Sequence, residues 1–280
     1  MYKKGDFHMH STASDGELSP KNLINLANEQ GIDILALTDH DTISGLNEAI
    51  SEGIKIGIEV IPGIELSTLY KGKSVHILGY FKNSEYINDR FKVFLKEMTD
   101  YRTLRAKKII DNLYKFFNIK LNYDDVLKKS KGIIARPHIA KAIIDAGYDY
   151  SFDYIFSKFI GESSPAYVPN KKIETEEGIK ILKSMSAMVV LAHPVLVKIK
   201  NIEELIKLPF DGIEAIYPAN SDNDTTKFIN YANEYSKVIS AGSDFHSVNV
   251  NDSRHASLPG EVYLEEKEIS IFLNKLNSIN

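Results

Sequence analysis

The 280-residue chain contains no cysteine. That absence excludes disulfides, thiolate nucleophiles and cysteine-bearing zinc sites together, so any metal has to be held by His, Asp and Glu. Long apolar runs are missing too: nothing approaches the roughly twenty residues of a membrane span. The lysines of Met1-Tyr2-Lys3-Lys4 lead straight into a strand pattern, with no apolar signal region after them, and a cytoplasmic protein is the expectation. Nor is there a large excess of one charge. A net charge of −4 excludes general binding of nucleic acid or membrane by the chain as a whole. Repeats and low-complexity segments are absent. The hydrophobic content of 43% and charged content of 26% fit a soluble globular enzyme, built as one large domain or a domain with an insertion.

What is present begins at Gly5-Asp6-Phe7-His8-Met9-His10. Phe7 and Met9 alternate with His8 and His10, the period of a strand, so the two imidazoles share a face with Cα atoms roughly 6.6 Å apart. Asp15-Gly16 follows in a turn. Ser19-Pro20 then reads as the cap and first position of a helix, and Ile32 to Leu37 as a strand buried on both faces. A helix over about 44–52, a β-rich run over 56–61 and a strand over 74–80 come next. From about 85 to 117 the apolar spacing turns helical and long. Shorter helices follow near 123–129, 137–146 and 152–159. Strand–helix alternation resumes with a helix near 174–186, strands at 187–192 and 212–217, a helix near 223–236 and a strand at 238–241.

Repeated βα units predict an α/β fold, either a parallel barrel or an open doubly wound sheet. Candidate ligands favour the barrel. His8 and His10, His40, Glu65, His193, Asp244 and His246 follow many different strands, and only a closed barrel gathers so many strand ends at one mouth. His76 lies on a further strand. A lone histidine in such a place is usually structural; six in the same position, beside three carboxylates, need divalent metals to offset burial and mutual repulsion. Nitrogen and oxygen donors without sulfur suit Mn²⁺, Zn²⁺ or Fe²⁺.

His8-x-His10 with Asp15, Thr38-Asp39-His40-Asp41-Thr42, Pro62-Gly63-Ile64-Glu65, Ala192-His193-Pro194 and Gly242-Ser243-Asp244-Phe245-His246 resemble, in order, the motifs of the PHP (polymerase and histidinol phosphatase) phosphoesterases. The resemblance implies a distorted seven-stranded, TIM-like β/α barrel and a site of three divalent metal ions, with Mn²⁺ favoured. It implies that His8, His10, Glu65 and Asp244 hold one ion and that Asp15, His40 and His246 hold a second. His76 and His193 hold the third, with Glu65 bridging. All nine positions keep a ligand residue. Water bridging two such ions has its pKa lowered toward neutrality and attacks phosphorus as hydroxide. Asp39 either orients a ligand imidazole or caps the following helix. No residue stands out as proton donor to the leaving oxygen.

Residues 96–170 read as an all-helical insertion, a substrate cap, between barrel segments 1–95 and 171–280. From Arg90 to Lys141 fourteen basic residues face five acidic ones, a local charge of +9, which leaves −13 for the rest. Most of these lysines read as a solvated helix face; Arg136-Pro137 at a helix start suits a phosphate. His138 is either a cap or a phosphate contact. Arg102 and Arg105 with Ala135-Arg136-Pro137-His138 resemble the insertion of PHP nucleoside 3′,5′-bisphosphate phosphatases, some of which also trim short RNA from its 5′ end. The expected substrate is therefore a phosphorylated nucleotide or short RNA, bound through Arg136, His138, Arg102 and Arg105. Histidinol phosphate is the alternative substrate, and a non-catalytic metal-binding module the alternative class. Arg254 and His255, after the last motif, are in reach of the barrel mouth but read first as a polar loop. No membrane and no obligate protein partner are expected.

Overall fold

The computed structural model describes residues 2–83, 85, 87–130, 134–169, 173–248 and 255–279. The first strand, β1 (Lys4–Asp6), leads into the loop carrying the two histidines. Helix α1 (Pro20–Glu29) starts where the Ser19 side chain accepts from the Asn22 N–H and Pro20 presets the first turn. Strand β2 (Ile34–Leu37) is buried at every position. Helix α2 (Leu46–Ile56) stops at Gly57, whose φ of 84° only glycine adopts freely.

Strands β3 (Glu59–Tyr70) and β4 (Lys73–Tyr80) form a hairpin. Its two linking residues, Lys71 and Gly72, have φ of 49° and 73°, the primed turn that matches strand twist. The polypeptide then enters α3 (Asp89–Phe117), capped by Asn88, and passes through α4 (Tyr123–Lys129), α5 (Arg136–Asp145) and α6 (Phe152–Lys158). It returns through β5 (Ile173–Glu174), α7 (Thr175–Lys183), β6 (Met188–Leu191), α8 (Ile202–Ile206) and β7 (Gly212–Ile216). Helix α9 (Asp222–Glu234), β8 (Val238–Ala241), β9 (Leu264–Glu265) and α10 (Glu266–Ser278) complete the chain.

The sheet runs β8-β7-β6-β4-β3-β2-β1-β9, with β5 added beside β3. Its ends meet. The Phe7 N–H donates to the Ala241 carbonyl at 3.0 Å, the Asp244 N–H to His8 at 2.8 Å and the His10 N–H to Phe245 at 2.9 Å. Seven strands therefore make a nearly closed barrel wall, and the two-residue strands β5 and β9 lie beside it. Gly242 permits the closure: a Cβ there would stand 2.2 Å from that of His8.

The wall is not wholly parallel, as the βα rhythm suggested. Strand β4 runs against both neighbours, because a two-residue turn reverses the chain whereas a parallel crossover needs a dozen residues or more. Glu65 consequently lies within the long β3 rather than at a strand end. Helix α10, which the sequence reading left unassigned, packs Ile269, Phe272 and Leu276 against the inward residues Phe7, Ile34, Ala36, Tyr80 and Val190. Its apolar face packs onto the barrel's inward residues while Ile271 on its other face stays exposed. Leu35 and Leu37, on the alternate face of β2, pack outward with α1, α2 and α7.

Helix α3 joins two cores. Phe91 and Leu95 near its start belong to the barrel's outer cluster, whereas Ala106, Ile109 and Leu113 pack with Ile139, Ile143, Ile155 and Phe159 in a separate one. No helix among the described residues is long and apolar enough to cross a membrane.

Candidate metal centre

Glu65 lies at the centre of the barrel mouth, fully buried. Its Oε1 is 2.9 Å from both His76 Nδ1 and His193 Nε2. Its Oε2 is 2.8 Å from His40 Nδ1, 3.2 Å from His10 Nε2 and 3.3 Å from His8 Nε2. Asp244 Oδ1 approaches His10 Nε2 at 3.0 Å and His8 Nε2 at 3.3 Å. On the other side Asp15 Oδ1 is 3.3 Å from His246 Nε2, and its Oδ2 is 3.9 Å from His40 Nε2. All nine residues singled out as ligands thus converge. The donor atoms of eight of them group as His8, His10, Glu65 and Asp244; as His10, Asp15, His40 and His246; and as His40, Glu65 and His76, while His193 joins through Glu65 Oε1 and His255 forms a further group with Asp244 and His246.

The donor set fits divalent cations. His8 Nε2 and His10 Nε2 face each other at 3.2 Å, a separation at which two ring nitrogens need a proton or an ion between them. Glu65 Oε2, Asp15 Oδ1, Asp244 Oδ1 and His40 Nδ1 are buried without any directed hydrogen bond. A buried polar atom left so costs roughly 1–3 kcal/mol, and more if charged. Shared cations satisfy all of them at once.

Burial works against charge on His8, His10 and the three carboxyls, yet opposite charges outweigh it. It opposes protonation of His8, but Glu214, Asp244 and Glu65 hold the imidazole well above its usual range. Asp244 and Glu65 likewise raise His10 to about 10. The carboxyls of Asp15, Glu65 and Asp244 stay far below the usual carboxylate range beside those histidines. His76 is the exception, since burial brings it down to about 4.

Supporting residues set the ligand orientations. Glu214 on β7, fully buried, accepts from His8 Nδ1–H at 2.9 Å and from the His193 backbone N–H at 2.7 Å. That bond leaves His8 Nε2 facing the cluster, the usual carboxylate–histidine arrangement behind a metal. The Tyr217 hydroxyl donates to Asp244 Oδ2 at 2.8 Å. His246 Nδ1–H donates to the Asp244 carbonyl at 2.7 Å. Asp39 neither caps a helix nor touches an imidazole. It accepts from the Ser11 N–H and hydroxyl and from the Ser14 hydroxyl, shaping the loop between His10 and Asp15. Asp6, pushed up to about 6 by burial, accepts from the N–H groups of His8, Ser243 and Gly260 and ties β1 to two later loops.

Sequence reasoning missed Glu214, Asp6 and Tyr217. The first two carried a signal: a carboxylate inside an apolar strand run, as in Gly212-Ile213-Glu214-Ala215, is rarely there without a partner. Tyr217 carried none. Backbone strain also marks the site, with φ of 51°, 25° and 49° at Asp41, His193 and Asp244, none of them glycine.

The four residues expected at the substrate differ in their partners. The Arg102 guanidinium forms a buried ion pair with Asp41 and donates to the Ser67 hydroxyl at 3.2 Å. It ties α3 to the barrel beside Glu65. Arg105 Nε donates to the Val168 carbonyl at 2.7 Å; burial and the neighbouring Arg136 lower it to about 10. Arg136 stands over Phe156 and Tyr167, 5.8 and 5.9 Å from their centroids. No carboxylate pairs with Arg105 or Arg136 among the described residues. His138 reaches back to accept the Ala135 N–H at 3.0 Å, the capping half of its expected role, and lies close enough to Asp15 and His246 to feel both charges. His255 is not a loop residue turned away: Nε2 is 3.5 Å from Asp244 Oδ2 and its ring 4.6 Å from that of His246. Arg254 lies outside the described residues.

The sequence profile of the PHP domain matches residues 6–162. A 5′-3′ exoribonuclease of Haemophilus influenzae is 32% identical over 253 residues, covering 88% of this chain and 91% of its own. A 3′,5′-nucleoside bisphosphate phosphatase of Chromobacterium violaceum is 29% identical over 250 residues, covering 86% and 87%. Among solved structures, one from Bifidobacterium adolescentis, described as a candidate metal-dependent phosphoesterase, superposes with a TM-score of 0.83 at 26% identity. It spans 97% of this chain and 96% of its own.

Proposed function

The chain belongs to the PHP domain family and is a metal-dependent phosphoric ester hydrolase, and on that premise we propose that it removes the 3′-phosphate of nucleoside 3′,5′-bisphosphates. The carrying observation is the convergence on Glu65 of five histidines, with Asp15 and Asp244 completing the ring of donors. Three divalent ions, Mn²⁺ by preference, would be held by the nine ligands: one by His8, His10, Glu65 and Asp244, a second by Asp15, His40 and His246, and a third by His76 and His193 with Glu65. Bound there, they supply an activated water and positive charge against the phosphate oxygens.

The protein's own residues do the rest. Glu214 and Tyr217 hold His8 and Asp244 in place, so the donors are arranged before a substrate arrives. We take residues 96–170 as the substrate cap over a barrel of 1–95 and 171–280. Arg105 and Arg136, without carboxylate partners among the described residues, present two guanidinium groups to an anionic ligand beside His138. A substrate with one phosphate at the metal cluster and another at this arginine pair suits the arrangement better than a monophosphate such as histidinol phosphate. The similarity to an exoribonuclease supports a second activity, 5′-to-3′ trimming of short RNA, at the same site.

The test is turnover of adenosine 3′,5′-bisphosphate, histidinol phosphate and a short 5′-phosphorylated RNA by Mn²⁺-loaded protein. The bisphosphate is expected to be hydrolysed best, with inorganic phosphate released from its 3′ position. Activity confined to histidinol phosphate, or none on any of the three, rejects the proposal. His8→Ala is expected to abolish turnover through metal loss, and Arg136→Ala to raise KM for the bisphosphate with little change in kcat.

A further inference from the structure

The helical segment ends in a patch of exposed rings far from its attachment to the barrel. Helix α3 is clamped to the barrel at Arg102 and runs on to Phe117, roughly 22 Å further along its axis. At that far end the rings of Phe117 and Phe159 meet with centroids 4.9 Å apart, and the Lys120 N–H donates to the Tyr148 hydroxyl at 2.9 Å. These contacts set residues 114–120 beside residues 148–159. The two stretches carry Tyr114, Phe116, Tyr150, Phe152 and Tyr154, each between 39% and 55% exposed. Local packing accounts for one side of these rings. Tyr150 and Tyr154 stack on each other and meet the buried Phe159 edge-on, and Phe152 leans on Phe156. Their other sides face solvent. Apolar residues scattered singly over a surface need no partner, but five large rings on two adjoining stretches mark an interaction site.

Charge is divided between the two sides of the patch. Residues 103–120 carry five basic side chains against Asp111, a charge of +4, while residues 142–170 carry four acidic side chains against Lys158, a charge of −3. Interleaved with the rings are Lys115 and Lys120 on the first side and Asp149 and Asp153 on the second, all four exposed. Lys115 stands over Phe116 at 5.1 Å and Lys120 over Tyr114 at 5.7 Å. We infer that this patch is a self-association surface, on which a second copy of the chain docks about a two-fold axis. In such a contact residue i of one copy meets j of the other, and j meets i. The lysine side of each copy then faces the aspartate side of its partner, twice, with the rings packed between them. A nucleic acid would be repelled by Asp149 and Asp153. A different protein would have to reproduce both signs and the rings in register; a second copy has them by construction.

The test is charge exchange read as mass. Sedimentation velocity of the full chain is expected to show a concentration-dependent species of twice the 31.5 kDa chain mass. Lys115→Glu with Lys120→Glu makes both sides acidic, and Asp149→Lys with Asp153→Lys makes both basic, so each double variant alone is expected to sediment as a monomer. Mixed in equal amounts they are expected to regain a dimer with one chain of each, because both contacts are again between opposite charges. Phe152→Ser leaves every charge in place and is expected to weaken the dimer about tenfold. Thermal melts of all the variants at low concentration are expected to match the wild type, since the altered side chains are exposed. A wild-type protein that stays monomeric at every concentration overturns the proposal. So does a dimer that survives both double variants, or a mixture that stays monomeric although both melts are unchanged. Capture of a labelled oligonucleotide that is lost on Lys115→Glu with Lys120→Glu, without any dimer, would give the face to nucleic acid instead.

Discussion

Glu214 shows how much a single side chain can hold without touching the reaction. It braces His8 through the ring and His193 through the backbone, two ligand carriers on different strands. Glu214→Gln should therefore weaken divalent-metal affinity roughly tenfold to a hundredfold, measured by calorimetric titration, while the fold survives. The protonation of the cluster gives a second expectation at this scale. His10, raised to about 10 without an ion, carries a proton at neutral pH that a metal must displace. Metal binding should release protons, and apparent affinity should rise with pH through the neutral range. Titrations in buffers of different ionisation enthalpy measure that release; proton uptake would contradict the assignment. Of these residues the nine candidate ligands were named from sequence, most of them in short polar motifs, resembling those of a family, beside apolar runs, and His76 within a strand pattern. Glu214 was not, because its partners lie 206 and 21 residues away.

At the scale of elements, α3 is the link between the barrel and the shorter helices α4–α6. Its first turns pack on the barrel and Arg102 clamps it to Asp41, both side chains nearly buried. Removing one member of a buried pair leaves the other uncompensated, which costs about 3–5 kcal/mol. Arg102→Ala should lose stability on that scale in denaturant titrations, and Asp41→Asn in the same background should recover part of it. The helical segment has a core of its own around Ile143 and Leu113. Ile143→Ala should destabilise that segment by about 2–5 kcal/mol. Amide exchange should then accelerate in α3–α6 and remain slow in the barrel strands. These helices were legible from apolar spacing, and α4 matches to the residue. The β3–β4 hairpin was half legible. Strand β4 was read over 74–80, but only the first three residues of β3 fell in the run read over 56–61, and Lys71-Gly72 lacks the usual Asn-Gly or Asp-Gly signal, so the antiparallel pairing was not read.

For the whole molecule, closure of the barrel and assembly of the metal site are one event. Gly242 lets β8 approach β1, and a methyl group at this position would press on His8 itself. Gly242→Ala is expected to lower both melting temperature and metal content. The pH dependence of the ion-free protein follows from signs. His10 is raised from 6.5 to about 10, so its contribution is complete below 6.5 and lost as pH rises through 10. His8, His193 and His246 are raised as well and act in the same direction. The carboxyls of Asp15, Glu65 and Asp244 are lowered from 3.8 and 4.5, so theirs is present above those values and lost as pH falls. His76, lowered to about 4, adds a penalty that is full below 4 and gone above 6.5, so it moves the maximum toward the upper end of the window. Stability of chelated protein should peak between about 4.5 and 6.5 and decline toward pH 10. Metal-loaded protein should not show that decline, because the ions replace the protons; thermal melts of the two forms across pH compare them directly.

Ligand chemistry was decided along the chain. With no cysteine, a cluster of His, Asp and Glu leaves hard or borderline divalent ions as its natural occupants, and the spacing of the motifs between strand patterns called for a barrel. Helix positions followed from local periodicity for the same reason: a helix bonds to itself within four residues. What depended on folding was everything that joins residues distant in sequence. The reversal of β4, the packing of α10 onto the barrel's inward residues and the role of Glu214 are of this kind, as are the diversion of Asp39 to Ser11 and Ser14 and the capture of Arg102 by Asp41. Each is a choice among polar or apolar partners that many residues could satisfy, and only the packed chain selects one.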